Sequence, residues 1–368
     1  MRQRPLIVKI LLFPFMLIYG LVVFVRNFLF GVGLLKQTVF DIPLISVGNI
    51  TVGGTGKTPH VEYLVAELRK SYSVAVLSRG YKRKTSGFVC VRNDSEVEDV
   101  GDEPLQIKQK FADVAVAVDE RRRRGIKRLM TNYPGLDVVI LDDAFQHRYV
   151  KPGLSILLVD YNRPLSKDQL LPVGRLREPA RAKQRASIVI VTKSPYALKP
   201  IDRRIVMKEL DLYPFQSLYF TTYSYGTLTR VFSPHELHKS EEELKKSKPN
   251  ILMVTGIATP RYFKKYLRGI STNITTLSFP DHHRFTRKDI RRIIATFNNI
   301  EGENKIIITT EKDAVRLRKF EKETMDINRS FYYVSVEVLF AGDEGERFNN
   351  KITRYVGKNK RNHLIYQE

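Results

Sequence analysis

Apolar positions along the chain fall into distinct regimes. From Ile10 to Val25 runs ILLFPFMLIYGLVVFV, sixteen residues without a charge, with Arg2, Arg4 and Lys9 before it and Arg26 after it. At about 1.5 Å per residue a helix there would cover roughly 24 Å, less than the roughly 30 Å hydrocarbon core of a bilayer. Phe28, Leu29, Phe30, Leu34 and Leu35 prolong the pattern past Arg26 and Asn27. No small-residue A-x-A site follows, which argues against a cleaved secretory signal. A buried core helix and a true span both remain open. The reading preferred here is a helix lying in or dipping into one leaflet, its basic flanks on lipid head groups.

From Pro43 the pattern changes to short apolar runs alternating with helical spacing. PLISVGNI (43–50), VAVLSRGY (74–81), VAVAV (114–118), LDVVILDD (136–143), LSILLVD (154–160) and ASIVIVT (186–192) are apolar on both faces, as strands of a helix-covered parallel sheet are. HVEYLVAELRK places Val61, Leu64, Val65 and Leu68 at helical intervals. Such alternation predicts a doubly wound α/β fold. Residues 216–232, aromatic, β-branched and centred on Gly226, predict a β-hairpin linking two lobes. SEEELKKSK (240–248) reads as a solvated face. ILMVTG (251–256) opens a second lobe, Pro260 starts a helix with Tyr262, Phe263, Tyr266 and Leu267, and NITTLSF, KIIITT and SFYYVSV add strands.

Composition changes the picture in two respects. The single cysteine, Cys90, cannot form an internal disulfide, and 43% hydrophobic with 27% charged residues excludes disordered and disulfide-scaffold classes. Lys plus Arg number 62 against 39 Asp plus Glu, a net charge of +23 that calls for an anionic partner: nucleic acid, anionic membrane or a phosphorylated substrate.

TVGGTGKTP (Thr51–Pro59) follows the first core strand directly and precedes a helix, which is the P-loop layout. Gly53, Gly54 and Gly56 let backbone amides converge on phosphate, with Thr51, Val52 and Thr55 completing the loop and the helix N-terminus adding partial positive charge. Lys57 would bridge the β- and γ-phosphates and Thr58 would offer its hydroxyl to Mg²⁺. Thr51 stands where the strict pattern has glycine. LDVVILDD ends in Asp142 and Asp143, where carboxylates at a sheet edge meet a loop-bound metal, although they would also serve to cap the helix beginning AFQH. Thr192-Lys193-Ser194-Pro195 lacks the aspartate of a guanine-reading N/T-K-x-D stretch, so ATP is favoured over GTP.

VGNITVGGTGKTP, LSRGY, GDEP, DDAFQHR, LPVGRLREP, FPDHHRF and TTEKDAVR, in this order across residues 47–316, resemble the tetraacyldisaccharide 4'-kinases of lipid A synthesis. The resemblance implies transfer of the ATP γ-phosphate to the 4'-hydroxyl of a tetraacylated glucosamine disaccharide 1-phosphate. It also implies a peripheral enzyme on the cytoplasmic face of the bacterial inner membrane, with no nucleic acid and no obligate protein partner. The fold expected is a P-loop NTPase-like, mostly parallel sheet with helices on both faces, plus a smaller α/β lobe. The corresponding divisions are an anchor helix (1–35), a kinase core (36–215), a hinge (216–235) and a C-terminal lobe (236–368).

By the same resemblance Asp102 of GDEP is the general base, assisted by His282 of PDHH, with His283 the confusable neighbour. Such a pair suits a step in which a hydroxyl loses its proton. Without the resemblance, the residues alone favour Asp102 as an N-cap for LQIKQKF and His282 as an ordinary histidine. Asp142, Asp143 and Glu178 are then expected near the metal and Arg177 near the nucleotide. Arg79, Tyr81, Arg122 and His147 are expected near substrate or phosphate. Arg122 sits within Arg121–Arg124, which also reads as a solvated or lipid-facing basic patch; Lys312 and Asp313 of TEKDA carry no assigned role. Two rivals remain: a P-loop ATPase acting on nucleic acid, and a membrane-attached nucleotide-binding scaffold without chemistry.

Overall fold

A computed structural model of the chain describes residues 5–232 and 240–365. Arg2 and Arg4, and residues 233–235 of the expected hinge, lie outside the described residues. The elements begin with α1 (Leu6–Gly31), β1 (Leu44–Gly48), α2 (Lys57–Leu68), β2 (Val74–Ser78), β3 (Val89–Cys90), α3 (Val97–Val100), α4 (Asp102–Lys110), β4 (Ala115–Val118) and α5 (Arg122–Asn132). They continue with β5 (Val138–Asp142), β6 (Leu154–Asp160), β7 (Ile188–Thr192), α6 (Pro200–Leu210) and β8 (Ser217–Arg230). The remainder is α7 (Glu241–Ser247), β9 (Asn250–Thr255), α8 (Pro260–Arg268), β10 (Ile274–Ser278), α9 (Arg287–Asn298), β11 (Lys305–Thr310), α10 (Glu311–Leu317), β12 (Phe331–Phe340) and α11 (Glu344–Ile365).

Two compact units result. Among the described residues the first holds 5–94, 107–222 and 338–365, and the second holds 95–106, 223–232 and 240–337. The division therefore differs from one drawn in sequence order: the segment bearing Asp102 belongs to the second unit, and α11 returns to the first.

In the first unit the strands run β8–β7–β6–β1–β5–β2–β4–β3, parallel throughout except for β3 against β4. The strands β1, β2, β5, β6 and β7 are buried along their whole length, which is why they read as unbroken apolar runs. On α2 the inward face includes Val61, Leu64, Val65 and Leu68. One core cluster gathers Leu157, Val189 and Phe220, and another gathers Leu77, Leu129 and Leu141. β1 lies between β5 and β6, with Val47 level with Asp142, so the loop leaving β1 emerges beside the acidic end of β5.

Around β10–β9–β11–β12–β8 the second unit packs two layers, one holding Leu252, Ile293 and Phe331, the other Met253, Phe263 and Ile308. Both α7 and α9 open with capping boxes, Ser240 with Glu243 and Thr286 with Asp289.

Two expectations are corrected. Residues 217–230 form one continuous strand, not a hairpin. Gly226 takes no left-handed backbone; its Cα lies against Ser335 and Glu337, where a Cβ would come within 2.6 and 2.8 Å of their side chains. A glycine inside a strand here marks close approach rather than a turn. Secondly, α1 spans 26 residues, about 39 Å at 1.5 Å per residue, so it is long enough to cross a bilayer. Only Val23 and Phe30 on it are buried while Leu6, Ile10, Leu11, Leu17 and Leu21 are exposed, which removes the core-helix reading. Its polar residues hold it to the first unit: the Tyr19 hydroxyl donates to the Arg177 carbonyl at 2.8 Å, and Arg26 and Asn27 each reach Glu178 at 3.3 Å.

Candidate active site

Backbone geometry shapes the loop between β1 and α2. Gly53 has φ of 112° and Gly56 of 87°, a region side chains resist, whereas Gly54 has no such φ and open space where its Cβ would be. α2 begins at Lys57, so its first amides face the loop. From behind, Asn49 Nδ2 donates to Thr55 Oγ1 at 2.7 Å, Thr192 Oγ1 to the Thr55 carbonyl at 2.9 Å, and Lys193 Nζ to the Gly54 carbonyl and, at 2.6 Å, to Asp160. His60 is buried with Nδ1 2.7 Å from the Gly56 carbonyl and Nε2 3.0 Å from Thr221 Oγ1. A carbonyl accepts only, so Nδ1 carries the proton. Burial pulls this imidazole down to about 4, which keeps it neutral.

The LREP segment closes the other side. Thr51 pairs with Leu176, Val52 N–H donates to the Arg175 carbonyl and Arg177 N–H to the Ile50 carbonyl, both at 2.8 Å. Arg177 thereby comes 3.3 Å from both oxygens of Asp143 and 3.4 Å from Gln146 Oε1, while Lys57 Nζ lies 3.6 Å from Asp143. Lys57, Asp143 and Arg177 are thus one cluster. Asp143 holds φ of 46°, a left-handed value seen chiefly in Asn, Asp and His among side-chain-bearing residues. Asp142 is buried and accepts the Ser78 hydroxyl at 3.0 Å.

The magnesium ion that the resemblance implies fits Thr58, Asp142 and Asp143 but not Glu178. No group of three or more His, Cys, Asp or Glu that could hold a metal occurs among the described residues. Mg²⁺ shared with nucleotide phosphates and water needs only one or two carboxylates and a hydroxyl, which Asp142, Asp143 and Thr58 can supply. Glu178 does not fit. It is fully buried with its oxygens taken by Arg185 at 2.6 Å and by Arg26 and Asn27, so it anchors α1 instead.

Arg122 also departs from expectation. It is 2% exposed, with Nη1 donating to the Asp119 carbonyl at 2.9 Å and Nη2 to the Asp142 carbonyl at 3.2 Å. Of the four arginines, this one is turned inward, where it braces the end of β5. His147 is half-buried; burial first, then the charges of Arg122, Arg79 and Arg26, hold it down at about 4. Arg79 and Tyr81 follow β2 and are exposed.

In the second unit Asp102 opens α4 and is 4% exposed, with Oδ1 accepting the Glu103 N–H at 3.1 Å. His282 Nδ1 lies 3.0 Å from its Oδ2, and Arg316 also donates to that oxygen. Lys312 Nζ is 3.2 Å from His282 Nε2. An ammonium only donates, so Nε2 accepts and the ring proton sits on Nδ1, aimed at Asp102. Burial would raise the Asp102 carboxyl, but the His282 hydrogen bond and the charges of Lys312 and Arg316 outweigh it and hold the group well below the usual carboxylate range. His282 has φ of 59°, a strained backbone for a side-chain-bearing residue. His283, by contrast, bonds Asp289 at 3.0 Å and stacks on Phe279, so the geometry brings His282 and not His283 to Asp102.

Arg316, which sequence reasoning left without a role, is 4% exposed and also grips Asp313 at 2.9 Å and the Gly256 carbonyl. Its only sequence signal is its place after KDAV in TTEKDAVR.

The tetraacyldisaccharide-1-P 4'-kinase family model matches residues 8–356. A tetraacyldisaccharide 4'-kinase of Phocaeicola vulgatus is 52% identical, covering 95% of this chain and 96% of that protein. One of Bacteroides thetaiotaomicron is 48% identical over 95% and 94%. Among solved structures, LpxK from Aquifex aeolicus in complex with ATP superposes with a TM-score of 0.73 at 28% identity, covering 95% of this chain and 99% of that one.

Proposed function

We propose, from the premise that this chain belongs to the tetraacyldisaccharide-1-P 4'-kinase family, that it transfers the γ-phosphate of ATP to the 4'-hydroxyl of a tetraacylated glucosamine disaccharide 1-phosphate in lipid A synthesis. The observation that carries the mechanism is the presence in one chain of a braced phosphate loop ending in Lys57 and a buried Asp102 paired with the half-buried His282, an arrangement suited to take a proton.

Lys57 and the amides at the start of α2 hold the phosphates, and Arg177, steered by Asp143, adds positive charge where it develops on the transferred group. Mg²⁺, when bound through Thr58, Asp142 or Asp143, supplies charge neutralisation to the phosphates. The sugar hydroxyl's proton passes to the Asp102–His282 pair, which acts as one titrating unit. Arg316 and Lys312 keep Asp102 ionised until that proton arrives. In the loose transition state of phosphoryl transfer the proton leaves late, so a strong base is not required. The apolar flank of α1 supports attachment to the membrane that holds the lipid, and cytosolic ATP puts the catalytic units on the cytoplasmic face.

Incubating the detergent-solubilised chain with MgATP and tetraacyl disaccharide 1-phosphate, followed by mass spectrometry of the lipid, tests the reading. A bis-phosphorylated lipid, absent with Lys57→Ala, is expected. No lipid product from a preparation that binds ATP would overturn it and revive the nucleic-acid and scaffold readings.

A further inference from the structure

β6 ends at Asp160, and the turn that follows, Tyr161-Asn162-Arg163-Pro164, runs beside the phosphate loop. Asp160 is 4% exposed and shapes this turn from within. Its Oδ1 accepts the Asn162 N–H at 2.9 Å, and its carbonyl accepts the Arg163 N–H at 2.8 Å. Bonds from one aspartate to the amides two and three residues on close an Asx turn and a β-turn together. Leu165, two residues past Arg163, is buried in the core cluster of Leu157, Val189 and Phe220. Arg163 therefore stands between two buried anchors, which fix its backbone.

The same carboxylate ties the turn to the loop. Lys193 Nζ donates to Asp160 Oδ2 at 2.6 Å and also to the Gly54 carbonyl. The Arg163 side chain then arrives at the neighbouring loop residue, its Nη1 3.0 Å from the point that a Cβ on Gly53 would occupy. Gly53 holds φ of 112°, so a glycine there serves both the backbone conformation and the approach of the guanidinium.

The loop amides are donors, and a guanidinium is five donors with no acceptor, so neither complements the other. What both complement is a phosphate oxygen, the group that a loop of this build holds. Lys57 and Arg177 converge on Asp143, whereas Arg163 reaches the loop at Gly53, a separate point. In phosphoryl transfer an arginine delivered from the same chain stabilises the charge of the transition state, and its planar fork suits two oxygens at once.

We propose that Arg163 is a catalytic residue of the phosphoryl transfer, touching the terminal phosphates of ATP and holding the transition state more tightly than the ground state. The proposal rests on the kinase reading above. The bond from the γ-phosphorus to the bridging oxygen breaks with its electron pair staying on ADP, the bond to the sugar oxygen forms, and the hydroxyl proton goes to the Asp102–His282 pair. Arg163 neutralises charge gathering on the phosphate oxygens and takes no proton itself.

The variants Arg163→Ala and Arg163→Lys separate this role from mere bracing of the loop, with an unchanged Tm verifying each fold. Single-turnover phosphorylation of tetraacyl disaccharide 1-phosphate should slow about 10²–10³-fold in Arg163→Ala while ATP Kd stays within about threefold. Arg163→Lys, which keeps the charge and loses the fork, should fall between. Guanidinium chloride should restore Arg163→Ala about tenfold or more where equal sodium chloride restores nothing. Wild type should retain MgADP with aluminium fluoride, a mimic of the phosphoryl group in flight, and Arg163→Ala should not. A wild-type rate in Arg163→Ala, an ATP Kd weakened as much as the rate, or a slow variant that guanidinium leaves slow overturns the assignment. Wild type that forms no bis-phosphorylated lipid would instead mark failure of the kinase reading. The aluminium fluoride arm would still judge Arg163, equal retention by wild type and Arg163→Ala overturning it.

Discussion

Arg316 is the buried cation in direct contact with Asp102, and it adds to what His282 and Lys312 do to hold that carboxyl down. Its guanidinium holds Asp102 on one side and Asp313 on the other, both buried. An adjacent arginine lowers a carboxyl by about 1–3 units, so Arg316→Met should move the acid limb of kcat/KM upward in pH by about that much while KM for ATP holds. Removing one partner of a buried pair costs about 3–5 kcal/mol, so Arg316→Lys, which keeps charge but loses the fork, is the companion variant. An unshifted pH profile in a folded variant would free Asp102 of this control. The contact was illegible in the sequence because it joins positions 214 apart, while Asp102 and His282 were found only through whole motifs. His60 gives a second residue-scale expectation. Its imidazole titrates near 4 in the folded chain against 6.5 ordinarily, so the unfolded chain binds the proton more readily. Stability is then full above about pH 6.5 and lost as pH falls from there toward 4. Half-buried His147 acts with the same sign. Thermal melts across this window should show Tm dropping, with a shallower slope for His60→Gln; an equal slope would place the acid lability elsewhere.

At the scale of elements, strands were legible where burial on both faces made them uniformly apolar, as for β1, β5, β6 and β7. β8 was not, since a glycine among aromatic residues carries the same signal in a turn and in a crowded strand. The length of α1 was under-read for a related reason: Arg26 and Asn27 look like the end of an apolar run, yet they are the contacts that seat the helix on Glu178. That turn also carries Arg177, whose side chain reaches Asp143 and whose carbonyl accepts from Tyr19. Tyr19→Phe with Arg26→Ala should therefore speed limited proteolysis between α1 and β1 and raise KM for ATP severalfold. Loss of membrane binding with KM for ATP untouched would make α1 an anchor alone.

Across the whole molecule, the division of labour follows from where charge is compensated. The loop unit sets two cations, Lys57 and Arg177, on the one carboxylate of Asp143 and carries further arginines and a lysine on α5, consistent with a net charge of +23 and two phosphate-bearing ligands. The second unit buries its ionic groups in a closed network around Asp102. The contribution proposed for it is proton handling rather than phosphate binding. That claim is tested most directly by measuring ATP affinity and single-turnover lipid phosphorylation for Asp102→Asn, His282→Gln and the double variant. Expected are ATP Kd values within about twofold of wild type and phosphorylation slowed by roughly 10²–10⁴, with the double variant little worse than the singles. Phosphorylation by Asp102→Asn at the wild-type rate would contradict it.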